Sequence, residues 1–250
     1  MTLWRLEWIR LVRTRRLVGL MAVYVFLGLM APPLARYLPD IISSSATGDM
    51  TIVAPPARPV DGVSGYASNA AQIGLLVFVF VVAAALALDA QREMAVFLRT
   101  RVPSYRDLLL PRYITAVGAG AVCFVLGALV AWCGTIAWIG TLDVAGVVTG
   151  TALGVVYLAF VGALTAAFAS RLDGAVITAV STLGVALALG IVGAIGHIGQ
   201  WLPSNLLSAM GSLAAGGGDP MSYGRSVVVT IVATLALLAL AVRLGNRREL

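Results

Sequence analysis

Long apolar runs alternate with short polar stretches that carry most of the arginines. Positions 17–34, 72–88, 113–139, 144–169, 175–195 and 226–244 are almost continuously apolar. A helix needs about 20 such residues to cross a bilayer, so six spans are predicted. The short-period alternation of a transmembrane barrel is absent. The predicted fold class is an all-α membrane protein, with 1–250 forming a single transmembrane domain of six helices.

The stretches between the spans have distinct characters. Residues 1–16 hold five arginines and Glu7, and at 100° per residue Met1, Trp4, Trp8, Leu11 and Val12 share one arc. This predicts an N-terminal amphipathic interfacial helix, with Trp4 and Trp8 at headgroup level. Pro32-Pro33 is expected to end the first span. Without a small-residue cleavage pattern after it, that span reads as an uncleaved anchor. Residues 36–71 are rich in Pro, Ser, Gly and Asp and predict a polar loop with room for a short helix. Turns are predicted at 140–143 and 171–174. Residues 197–225 are apolar but broken, and Ser204 after Pro203 is placed to cap a short helix through Leu213. Too short to span, that helix predicts a re-entrant or interfacial element on the outer face.

Composition supports the reading. The chain is 60% hydrophobic and only 11% charged, whereas a soluble domain carries about a quarter charged residues. With the N-terminus inside, fourteen arginines fall on cytoplasmic segments and three, Arg36, Arg58 and Arg225, on the opposite side. This bias predicts cytoplasmic N- and C-termini in a multi-pass protein of a bacterial cell membrane. It also accounts for the net charge of +6 without nucleic acid. All 17 basic residues are arginine, so a phosphate-binding loop, which needs a lysine, cannot be present.

Candidate chemistry inside the membrane is sparse. No acidic or basic group falls at mid-span, as an intramembrane enzyme or proton-coupled carrier would need. His197 stands alone near the outer surface, with no second metal ligand at useful spacing. Cys123 and Cys133 sit ten residues apart on one span, about 15 Å along a helix, beyond disulfide reach. Gly146, Gly150 and Gly154 recur every fourth residue and predict a smooth helix-packing face.

The informative stretch is 89–112, a predicted cytoplasmic coupling segment with five arginines. Met94, Phe97, Leu98 and Arg101 fall at i, i+3, i+4 and i+7 of one helical face, with Arg92, Glu93 and Arg99 on others. Val102-Pro103 stops that helix. Ser104 and Asp107 then match a capping box that starts the next one, which runs through Leu108-Leu109-Leu110 into the third span. The first helix is thereby able to move as a unit while the second transmits the movement. An ordinary charged loop is the simpler alternative.

Gln91-Arg92-Glu93, Phe97-Leu98, Pro103-Ser104 and Arg106-Asp107-Leu108-Leu109-Leu110 resemble the corresponding segment of ATP-binding-cassette exporter permeases of the type-2 class. Leu202-Pro203 before the last span looks like that family's outer re-entrant segment. The resemblance spans the chain in topology and is local in motif; Ala95-Val96 stands where many members have Gly-Thr, and the linker after Pro103 is one residue shorter. It implies a transporter of two permease chains, identical or different, and two cytoplasmic ATPase subunits. Those subunits hold ATP and Mg, and this chain binds no cofactor and is not an enzyme by itself. Phe97, Leu98 and Arg101 would enter the ATPase groove, with Arg92, Glu93 and Arg99 at its polar rim. The Gly-lined spans suit a hydrophobic or amphipathic cargo such as a drug, antibiotic or lipid. A membrane scaffold without transport is the rival reading, and a secondary carrier a third.

Overall fold

In the computed structural model, residues 3–44, 55–87, 105–193, 196–216 and 219–246 are described. All regular elements among them are helical. In chain order they are α1 (Leu3–Arg13), α2 (Arg16–Ser44), α3 (Pro59–Asn69), a π turn (Ala70–Gly74), α4 (Leu75–Leu86), α5 (Tyr105–Trp138), α6 (Val144–Ala169), α7 (Ala175–Gly193), a 3-10 turn (Gly196–Trp201), α8 (Asn205–Ala214), a second 3-10 turn (Pro220–Tyr223) and α9 (Gly224–Asn246). Six helical stretches among the described residues are long and apolar enough to cross a membrane.

Two boundaries depart from the sequence expectation. The first span does not end at Pro32-Pro33, because α2 continues through both, and through Pro39, to Ser44. At 29 residues it is about 43 Å long. Proline removes a backbone donor, but a packed neighbour can hold the helix together in an apolar setting. Here α5 supplies that neighbour: Gly134 faces the Pro32 ring, and Arg36 Nη1 donates to the Trp138 carbonyl at 2.8 Å. The second correction concerns the expected loop 36–71. Its final third is α3, which passes through the π turn into α4, so the second membrane-length helix runs Pro59–Leu86. Glycine, serine and asparagine lowered the apparent apolarity of α3, yet they let it pack closely. Gly62 lies against the Thr135 side chain and Gly211 against Ser64, while Val63 and Tyr66 are fully buried.

The core is organised around α5 and α6, with α2, α3 and α4 packed on one side and α7, α8 and α9 around the rest. Tyr24, Tyr66, Phe78 and Phe124 fill its centre with essentially no exposure. The Tyr66 hydroxyl donates to the Phe124 carbonyl at 2.7 Å, and the Tyr24 and Phe124 rings meet edge to face at 5.8 Å. Gly28 abuts the backbone of Gly127, so α2 and α5 approach main chain to main chain, as small residues allow.

Short polar connections close the bundle. Arg15 adopts a left-handed φ of 56° at the corner between α1 and α2. Asp143 caps α6 by accepting from the amides of Ala145 and Gly146. Gly174, at φ 108°, permits the tight reversal from α6 to α7.

Candidate functional site

At the arginine-rich end of the bundle, α1 lies across the starts of α2 and α5. Its burial pattern divides the predicted apolar arc. Glu7 and Leu11, one turn apart, face the bundle and are buried, whereas Trp8, Ile9 and Val12 are exposed. Trp4 is also carried by α1. Rather than pointing away to water, the acidic Glu7 is turned inward onto the third membrane-length helix.

The reason is its partner. Arg112, two turns into α5, is 5% exposed, and its Nε donates to Glu7 Oε1 at 3.0 Å. Arg10 approaches the same carboxylate at 3.9 Å from the exposed side. Each ion on its own would be costly to bury, and the pair is tolerated because each supplies the other's charge and hydrogen bond. The contact joins residues 105 positions apart and ties the N-terminal helix to α5. The end of α9 completes this face: Gly245 sits directly against the Tyr105 ring, leaving no room for a side chain.

Of the coupling residues read from the sequence, Arg92, Glu93, Met94, Phe97, Leu98, Arg99 and Arg101 lie outside the described residues, as does Ser104 of the capping box. Asp107 is in the first turn of α5 and exposed, where its charge suits the helix N-terminus. At the opposite end, the three glycines of α6 meet two neighbours. Gly146 and Gly150 take the backbone of α8 at Leu213 and Met210, and Gly154 takes the Phe124 ring of α5. Ser204 precedes α8 without a side-chain cap; its hydroxyl instead donates to the Leu189 carbonyl at 3.3 Å.

Sequence reading missed the Glu7–Arg112 pair. One signal was available: Glu7 is the single acid before Asp40, placed within a strongly basic stretch. Which arginine it would choose depended on the fold.

A cavity of about 830 Å³ lies between α4, α7 and α8. Leu75, Leu76, Leu187 and Ile191 form much of its apolar wall, and Gln72 and Asn205 supply amides. Among the described residues no three potential metal ligands come together. No family model matches the chain, and no match was found among curated proteins. Six long apolar helices fit a multi-pass membrane protein.

Proposed function

We propose that the chain is the permease subunit of an ATP-driven exporter of the type-2 class. Its arginine-rich end faces the cytoplasm, and a separate ATPase subunit binds the segment from Arg92 to Arg101. Phe97, Leu98 and Arg101 seat in the ATPase, while Arg92, Glu93 and Arg99 set register and specificity through charge. A second permease chain completes the transporter, and α8 serves as the outer re-entrant helix.

The observation that carries this reading is the buried Glu7–Arg112 pair. A push on 88–104 enters α5 at Tyr105, and within two turns α5 is bonded to α1. Such a push therefore moves an anchored pair of helices. An isolated surface loop would need no buried charge at this place. The cavity between α4, α7 and α8 supports a hydrophobic or amphipathic cargo, because its wall is mostly apolar with a few neutral hydrogen-bonding groups.

The test is the double substitution Phe97→Ala with Arg101→Glu in the reconstituted transporter. Insertion into the membrane is expected to be normal, ATP-dependent export to be abolished, and the ATPase to lose its stimulation by the permease. Export at the wild-type rate would refute the reading.

A further inference from the structure

Two irregular features meet inside the second membrane-length helix. The first is the turn Ala70–Gly74, the one stretch of π geometry among the described residues. The second is the hydroxyl of Tyr24, which is fully buried and has no hydrogen-bond partner. They are in contact. A Cβ on Gly74 would stand 2.7 Å from Tyr24 Cε1 and 3.2 Å from Cζ, so only glycine lets this ring lie against the turn.

Each feature calls for a reason. Buried hydroxyls nearly always find a partner, and an orphan beside a wide turn is unusual. A π turn contains one residue more than the α path, and such turns concentrate where helices change shape. Shifting such a turn along the helix changes which backbone carbonyl lacks its helical donor, and Gly74 at the end of the turn lies against the Tyr24 ring.

The helix is held differently on the two sides of this turn. Above it, α3 is fixed by polar and close contacts, including Tyr66 to the Phe124 carbonyl and Gly62 to Thr135. Below it, α4 is apolar throughout and packs through side chains such as Phe78, which lies on Gly120 of α5. No side chain of α4 carries a hydrogen-bonding group, so a swing of α4 costs repacking but breaks no directed bond from its own side chains. The lower half leads through Leu86 and Ala87 directly into the arginine-bearing segment.

We infer that the turn Ala70–Gly74 is a hinge and Tyr24 its latch. When α4 swings, the π turn shifts along the helix, which leaves a different backbone carbonyl without its helical donor, and the Tyr24 hydroxyl donates to that carbonyl. The orphan of the present state is thus paired in the other one. The drive for the swing rests on the permease reading; the two-state turn does not.

Hydrogen exchange on the full chain in lipid nanodiscs tests the hinge. In the wild type, amides of Gln72–Leu75 are expected to exchange at least tenfold faster than those of Val63–Ala67, and equal protection overturns the hinge. Tyr24→Phe keeps the ring and removes the hydroxyl. It is expected to slow exchange at the turn roughly fivefold, the loss of one neutral hydrogen bond of about 1 kcal/mol from the open state, without lowering the melting temperature. A passive packing defect would give wild-type exchange, which overturns the latch. Tyr66→Phe is the control: it removes a paired hydroxyl, so it lowers the melting temperature and does not slow exchange. Slowed exchange in Tyr24→Phe, with no ATP-dependent export by the wild-type chain, keeps the hinge and refutes the exporter. Unchanged exchange in a chain that does export refutes the latch alone.

Discussion

Helices α6 and α9 have nearly the same apolar character but opposite fates. In the most apolar window of α6, 61% of residues are buried within the chain, against 11% in α9. The difference follows from residue size and shape. On α6, Gly146, Gly150, Gly154 and Gly162 admit the backbones and rings of α8 and α5, and Thr151 and Thr165 return their hydroxyls to their own helix. On α9, Val228, Ile231, Val232 and Leu235 point outward, toward lipid or the second permease chain proposed above. In an apolar solvent burial of a leucine gains little, so close packing decides which helix lies inside.

Substitutions matched between the packed and the open regions can break or sharpen this contrast. The largest effect is expected at Gly146→Leu. Its Cβ would collide with the Leu213 backbone, which cannot move aside as a side chain could. Loss of at least about 3 kcal/mol, seen as failure to recover monodisperse protein in detergent, is expected. Gly184→Leu on α7, where nothing lies within 4 Å, should leave the melting temperature unchanged. Equal effects at both sites would remove packing as the explanation.

A comparable loss is expected at the arginine-rich end. Arg112→Ala leaves the buried Glu7 carboxylate with the longer contact to Arg10 in place of its hydrogen-bonded partner and should cost about 3 kcal/mol in a detergent melt. Arg243→Ala, an exposed side chain near the end of α9, should fall within about 0.5 kcal/mol of wild type. Adding Glu7→Gln to Arg112→Ala should restore part of the loss, since the uncompensated charge is then gone. The smallest effect is at Asp143→Ala, which removes the cap of α6. About 1 kcal/mol is expected, measurable as a modest fall in melting temperature.

Much of this molecule was legible in residues taken one after another. Six apolar runs predict six crossings because helix length and bilayer thickness are both fixed quantities. The biased arginines predict an orientation, and the absence of lysine rules out a phosphate-binding loop in this chain. Of the predicted coupling segment 89–112, with its expected capping pair and proline break, positions 89–104 lie outside the described residues; the structure shows the start of α5 at Tyr105 and the buried Arg112.

Other features depend on which helices become neighbours. Pro32-Pro33 reads as a stop in sequence, yet α5 holds α2 together past it. Residues 59–69 look like a loop until Thr135, Phe124 and α8 surround them. Glu7 has several arginines within reach along the chain and pairs with one 105 positions away. The π turn has no composition that announces it, and Tyr24 meets Gly74 only after α2 and the second span have docked. Local sequence sets which segments are helical and apolar, because propensity and hydropathy act over a few residues. Helix continuity through proline, the partner of a buried charge and the place of a bulge are settled by contacts between distant segments, which short-range pattern does not encode.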